Sequence, residues 1–412
     1  MPPLELGREV LVKTDQPQLK SPEPGAPAPD GFIPLCVPEI RGNEWTYVKD
    51  CLDTGWVSSV GSYVDRFERM VAERVGTAYA VATVNGTAAL HVALLLAGVE
   101  RDDEVLVSTL TFVAPANAIR YAGAWPVFID AEPEYWQWDN ALVRHFLENE
   151  CQRVNGELRD RRNGRRVKAL LPVHVLGHPV DIEPLMALSR EFGLAVIEDA
   201  TESLGATYSD RPVGKFGDFA CFSFNGNKLL TTGGGGMIVT DNPEWAKRAK
   251  YLTTQAKDDP VEYIHKNIGY NYRLTNIQAA MGCAQTELLD EYVAAKRRIA
   301  ERYRQELTGI PGLEPMRAAD WAFSTYWMYT VLLSADKFGM DSRALLAKFG
   351  RDGVQTRPLW QPLHLSPSHA GSQVIDSGVA ARLYRDALSL PCSVGLTEAQ
   401  QTRVIGLLRS YL

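Results

Sequence analysis

Short apolar runs alternate with helix-length stretches between residues 80 and 241. AVATVN (80–85), EVLVS (104–108), PVFID (126–130), VKALLPVHV (167–175) and LAVIED (194–199) read as strands. Between them GTAALHVALLLAGV (86–99), FVAPANAIRYAG, a stretch near 139–149 and DIEPLMALSREFG (181–193) read as helices. Strands that are apolar nearly throughout need cover on both faces, so the alternation predicts a parallel sheet between helices. FACFSF (219–224) and GMIVTD (236–241) form a closer pair of strands, followed by a helix at 243–252. TNIQAAMGCAQTELLDEYVAAKRRIAERYRQEL then reads as a helical pattern long enough to link two domains. Beyond about Pro311, TYWMYTVLLS and ALSLPCS read as strands, and DSRALLAKFGRDG and TEAQQTRVIGLLRSYL as helices. The expected organisation is a large domain over 33–300 and a smaller α/β domain over 301–412. Residues 1–32, with SPEPGAPAPDG, read as a tail too poor in apolar surface to fold alone.

Composition narrows the function. The chain has 412 residues, 45% hydrophobic and 23% charged, with a net charge of −7. That balance disfavours a nucleic-acid or membrane-surface role. The basic insertion at 151–168 has no interleaved aromatic residue to stack on bases, so it reads as a solvated hairpin. No apolar run is long enough to span a bilayer, and the start lacks a signal-peptide pattern, so a cytoplasmic protein is expected. Six scattered cysteines without a CxxC pair read as reduced thiols. His174 and His178 share i, i+4 spacing, but Gly177 and Pro179 interrupt any helix there, and no metal site is expected.

Four glycines, Gly233 to Gly236, follow Lys228 between two strands. A phosphate-binding P-loop needs its lysine after the glycines, and no GxGxxG opens a helix, so both nucleotide-loop readings fail. The glycines read as a reversal between neighbouring strands that keeps side chains away from the lysine. On that reading, a valine at Gly234 or Gly235 reduces cofactor occupancy.

Other segments supply what a reactive lysine needs. Asp199 ends a predicted parallel strand, where ligands bind in such sheets. VNGTAAL (84–90) is a strand, a turn and a helix start suited to a phosphate. Ser223 can add a hydroxyl, and Phe112 sits past another strand end, placed to cover a flat ring. An acid, a phosphate cradle, an aromatic platform and a lysine together suggest pyridoxal phosphate. The lysine forms the Schiff base, and the carboxylate keeps the pyridine nitrogen protonated so that the ring accepts electrons.

From about Ile33 to its end, the chain resembles the DegT/DnrJ/EryC1/StrS nucleotide-sugar aminotransferases. The resemblance rests on NGTAAL, TFVAPANAI, PVHVLGHPVDI, IEDATESLGA, VGKFGDFACFSFNGNK, TTGGGGMIVTD and GYNYRLTNIQAAMG. It implies a fold-type I transferase, with a mostly parallel seven-stranded sheet in the large domain and a smaller C-terminal α/β domain. It implies Lys228 as the Schiff-base lysine and proton shuttle, Asp199 at the pyridinium nitrogen and Phe112 on the ring. Gly86, Thr87 and Ser223 would hold the phosphate. Asn271 would reach it from a second subunit of a homodimer, with Arg273 assisting there or at the donor carboxylate. Glu202 stands where relatives carry Gln or His beside the cofactor's phenolic oxygen, and must be protonated or act through water to donate there.

GNEWTYVKDCLDTGWVSSVGSYVDRFE and RPLWQPLH resemble the subgroup acting on 4-keto-6-deoxy-hexosamine nucleotides, of the bacillosamine or legionaminic type. The resemblance therefore implies transfer of an amino group from glutamate to C4 of a UDP-N-acetylhexosamine-type keto sugar. Trp56, Ser58, Ser59, Trp360 and His364 are candidate sugar or nucleotide contacts. The alternatives are a GDP-4-keto-6-deoxymannose substrate, giving a perosamine-type product, and a non-catalytic cofactor-binding regulator. A related 3-dehydratase would carry histidine in place of Lys228.

Overall fold

One large sheet organises the chain. The computed structural model describes residues 31–259 and 261–412, so most of the expected tail at 1–32 lies outside the described residues. The sheet contains β1 (Tyr79–Thr83), β2 (Glu104–Ser108), β3 (Trp125–Ile129), β4 (Val167–Leu171), β5 (Ala195–Asp199), β6 (Phe219–Ser223), β7 (Gly236–Thr240) and β8 (Gln373–Ile375). Their spatial order is β1-β7-β6-β5-β4-β2-β3-β8. Neighbours from β6 through to β8 pair in parallel, while β7 runs antiparallel to both β1 and β6. The C-terminal ends of the parallel strands therefore share one edge, and the register sets Thr83 and Ser223 opposite Gly236 and Cys221 opposite Asp199.

The sheet has eight strands where seven were expected. The eighth, β8, comes from the C-terminal part of the chain and pairs with β3, Gln373 opposite Val127 and Ile375 opposite Ile129. Three residues are too few to show a period. Asp130, at the end of β3, secures the return: it accepts from the backbone N–H groups of Ser377, Val379 and Ala380, at the start of helix Val379–Asp386.

Two helices, α1 (Glu44–Thr54) and α2 (Ser62–Val75), precede β1, and α2 buries Val64, Phe67, Val71 and Val75, spaced three to four residues apart. α3 (Gly86–Leu96) packs on β6 and β7 and is apolar almost all round because it is buried. Asn85 caps it by accepting from Ala88 N–H. The long helical pattern splits at Leu288 into α4 (Asn276–Glu287) and α5 (Leu289–Leu307). α4 starts with a capping box, Thr275 and Gln278 satisfying each other's backbone donors. α5 leads to a three-stranded antiparallel sheet of Leu313–Pro315, Tyr329–Leu333 and Ala387–Leu390.

TYWMYTVLLS is strand only from Tyr329. Tyr326 has φ +51°, which breaks the extended run and leaves Trp327 ahead of the strand. The insertion at 151–168 is a hairpin, Cys151–Val154 against Glu157–Asp160. Several of its arginines are engaged within the chain: Arg166 pairs with Asp103 at 2.6 Å and Glu100 at 3.3 Å, and the Arg165 guanidinium lies 4.2 Å from the Trp125 ring centre.

Candidate active site

The turn after β1 approaches the end of β6 closely. A Cβ placed on Gly86 would lie 3.0 Å from Ser223 Cβ and 3.3 Å from Thr201 Cγ2. Gly86, Ser223 and Thr201 thus line one small cradle at the N-terminus of α3, with Thr87 half-buried in the first turn. First-turn N–H groups are free of helix partners and sit at the positive end of the dipole, so the cradle fits a phosphate.

Asp199 closes β5 and is 2% exposed. Its Oδ1 accepts from Thr201 N–H at 3.1 Å. Burial pushes its carboxyl above the usual range, partly offset by the hydrogen bonds from Thr201 and by the charge of Lys228. Behind it, Asp199 O accepts from His174 N–H at 3.0 Å, and His174 Nε2 lies 3.1 Å from Glu198 Oε2. Glu198 also accepts from the N–H groups of Gly214, Phe216 and Gly217. Burial alone would raise the Glu198 carboxyl, but His174 and these donors hold it below the usual range. His178 Nε2 accepts from Ala319 N–H at 3.0 Å. Both histidines of HVLGH are therefore engaged in hydrogen bonds that brace the fold.

Lys228 is carried by the loop between antiparallel β6 and β7. Phe224 ties this loop at its neck, donating to Gly235 O and accepting from Thr232 N–H, both at 2.9 Å. Lys228 Nζ lies 3.5 Å from Glu202 Oε1. The other oxygen, Glu202 Oε2, accepts from Leu176 N–H at 2.8 Å, and Leu176 adopts a left-handed φ of +61° to donate there. Burial pushes the Glu202 carboxyl up, while Lys228 pulls it down.

A residue outside the sequence expectations completes this centre. The Trp327 ring centre is 4.1 Å from Lys228 Nζ, and its indole N–H donates to Asn227 O at 2.8 Å. Trp360 is nearly parallel to it, with ring centres 6.5 Å apart. Trp327 O accepts from the buried Lys296 Nζ at 2.7 Å. Thr201 was missed as well, although it lies two residues after Asp199.

The glycine run needs correction in detail. A Cβ on Gly234 would find nothing closer than 3.8 Å. A Cβ on Gly235 would collide with the Thr232 hydroxyl. One on Gly236 would lie 2.6 Å from Thr83 Oγ1 and closer still to the Asn85 carbonyl. Crowding is therefore greatest at Gly235 and Gly236, beside the cradle, and Gly234 has room.

The remaining candidates lie further out. Phe112, just beyond β2, is 56% exposed. His364 Nδ1 is 2.8 Å from Thr109 Oγ1 at the end of β2. The carbonyls of Trp56 and Ser58 accept from Asn276 at the start of α4, while the Trp56 side chain stays 58% exposed and Ser59 is half-buried. Asn271 is exposed and Arg273 half-buried on a segment whose Tyr272 O accepts from Val84 N–H at 2.7 Å, next to the cradle. Among the described residues, no side-chain hydrogen bond within one chain joins Trp56, Ser58, Ser59, Asn271 or Arg273 to Lys228 or Asp199.

Residues 38–409 match the DegT/DnrJ/EryC1/StrS aminotransferase family. The GDP-perosamine synthase of Caulobacter vibrioides is 38% identical over 92% of this chain and 98% of its own. The putative pyridoxal phosphate-dependent aminotransferase EpsN of Bacillus subtilis is 37% identical over 91% and 95%. The crystal structure of the aminotransferase TlmJ from Streptoalloteichus hindustanus superposes with a TM-score of 0.83 at 28% identity, covering 92% of this chain and 98% of that one. The buried carboxylate, the cradle and the lysine suit pyridoxal phosphate, and the chain belongs to the DegT/DnrJ/EryC1/StrS family as a pyridoxal phosphate-dependent sugar aminotransferase.

Proposed function

We propose that the protein transfers the amino group of glutamate to C4 of a GDP-linked 4-keto-6-deoxymannose, giving a perosamine-type 4-amino sugar. The observation that carries the chemistry is Lys228 Nζ, 3.5 Å from Glu202 and at the strand-end edge that Asp199 closes. The preference for GDP over the UDP-N-acetylhexosamine substrate expected from the sequence rests on likeness to a GDP-perosamine synthase along nearly the whole chain.

Pyridoxal phosphate, when bound, would supply an electron sink. Gly86, Thr87, Ser223 and Thr201 would hold its phosphate, and Phe112 would cover its ring. Asp199 would hold the proton on the ring nitrogen. Its buried position makes that charge interaction strong, because little water screens it. Lys228 Nζ takes the proton from C2 of glutamate in the first half of the cycle and delivers one to C4 of the sugar in the second. Glu202 balances the charge that Lys228 gains each time it carries a proton. Trp327 excludes water from the same amine.

Asn271 and Arg273 act across a homodimer, Asn271 at the phosphate of the neighbouring subunit and Arg273 there or at the donor carboxylate. Trp56, Ser58, Ser59, Trp360 and His364 contact the nucleotide sugar. The test is competition: equal GDP- and UDP-linked 4-keto-6-deoxy sugars are offered with glutamate, and the products are weighed by mass spectrometry. Amination of the GDP sugar supports the reading. Amination of the UDP sugar alone restores the substrate class read from the sequence.

A further inference from the structure

Among the described residues, the buried cation Lys296 has no carboxylate partner. It lies on α5, is 1% exposed, and its Nζ has three neighbours: Trp327 O at 2.7 Å, Cys36 Sγ at 3.4 Å and Cys392 Sγ at 3.7 Å. An ammonium taken out of water needs a counter-charge. Of these three partners only a thiol can become an anion. Cys36 is half-buried, whereas Cys51, Cys151, Cys221, Cys283 and Cys392 are buried.

We propose that Cys36 is a modification site: a thiolate paired with the Lys296 ammonium, which reacts with soft electrophiles and with peroxide, its oxidised form being resolved by Cys392. The groups around it agree. A hydrogen bond from Cys392 brings the Cys36 thiol down to about 5; burial opposes this, while Lys296 and Lys228 reinforce it. The other five thiols are all raised, burial acting on each and the Cys36 contact leading at Cys392. The two segments are already joined, since Leu35 O accepts from Cys392 N–H at 2.8 Å and Val37 N–H donates to Ser393 Oγ at 3.0 Å.

The chemistry balances. The Cys36 thiolate attacks hydrogen peroxide, the O–O bond breaks, the sulfur keeps a hydroxyl, and the hydroxide released takes a proton from solvent, the one the thiol gave up on ionising, and leaves as water. Cys392 sulfur then attacks it, the S–O bond breaks, a disulfide forms and a second water leaves. Two thiols lose two electrons and one peroxide becomes two waters. Oxidation removes the anion from Lys296, which holds Trp327, and Cys36 Sγ also lies 3.7 Å from Asn227 O, one residue before Lys228. The consequence for cofactor binding therefore rests on the proposed role of Lys228, whereas the reactivity of Cys36 does not.

The test alkylates the full-length protein, loaded with pyridoxal phosphate, with iodoacetamide across a pH series and maps the adducts by peptide mass. Cys36 should react more than about tenfold faster than any other cysteine, at a rate nearly flat from about pH 6 to about pH 8. In Lys296→Met the same rate should climb through that range, as for an ordinary thiol. A wild-type Cys36 rate that climbs through pH 8, or a faster reaction elsewhere, overturns the thiolate without any need for the variant. One equivalent of peroxide should give a Cys36–Cys392 cross-link, and Cys392→Ser should stop at a trappable sulfenate. Two free thiols after peroxide overturn the redox step. Oxidised protein should bind pyridoxal phosphate about tenfold more weakly until reduced, and unchanged binding severs Cys36 from Lys228 while leaving the alkylation result standing.

Discussion

Lys228 Nζ lies 3.5 Å from Glu202 Oε1, in a site where burial disfavours the carboxylate and the lysine charge favours it. The lysine charge steadies the carboxylate. Replacing Lys228 with Met removes the cation and should push the Glu202 carboxyl further up, so that it stays protonated to higher pH. The measurement is the pH dependence of the Glu202 carboxyl infrared band, in the cofactor-free protein. An unchanged midpoint would separate the two residues.

Trp327 presents its ring to Lys228 at 4.1 Å and its N–H to Asn227 O at 2.8 Å. Trp327→Leu loses both contacts and should weaken pyridoxal phosphate binding by about tenfold, the sum of a partly buried cation–π contact and one hydrogen bond after some relaxation. Trp327→Phe keeps a ring and should fall between the two. Absorbance titration of the cofactor into each apoprotein checks the order.

Crowding separates the glycines. Gly236→Ala pushes a methyl group into the Asn85 carbonyl and Thr83, and should cost about 2 kcal/mol of stability together with much of the cofactor affinity. Gly234→Ala meets nothing closer than 3.8 Å and should leave cofactor binding near wild type. Equal losses in the two variants would contradict the close approach of β7 to the cradle.

Far from the site, Glu104 is buried beside the hairpin, where its Oε1 accepts from Asn163 at 2.7 Å. Burial, opposed by Asn163, raises its carboxyl to about 7 from 4.5. A raised carboxyl favours the protonated folded state, so this contribution is full below about pH 4.5 and is lost as pH rises through about 7. Glu104→Gln should therefore stabilise the protein by about 1–3 kcal/mol at pH 8, with little difference near pH 4. Denaturant melts at both pH values test the sign.

Local order made the candidate cofactor residues legible. Lys228, Asp199, Gly86 and Ser223 all stand at or just beyond the ends of strands that their own apolar runs announce, so sequence position carried spatial position. Trp327 was hidden because its place depends on the left-handed turn at Tyr326 and on a loop 100 residues away. Lys296 sits in a charged helical run where a lysine reads as solvated, and only packing against Cys36 and Cys392 reveals it as buried. Gln373–Ile375 is too short to show a period, and its strand exists because β3 offers an open edge. Room at Gly234 and crowding at Gly236 depend on neighbours that a run of identical residues cannot distinguish.

On the proposed function, Lys228 is the amine that holds the cofactor. Incubation of the full-length protein with pyridoxal phosphate, reduction with borohydride and peptide mapping locate the attached group. A pyridoxyl group is expected on Lys228 alone, and none there in Lys228→Ala. A group fixed to Lys296, Lys215 or any other lysine in the wild-type protein, with Lys228 unmodified, would contradict it.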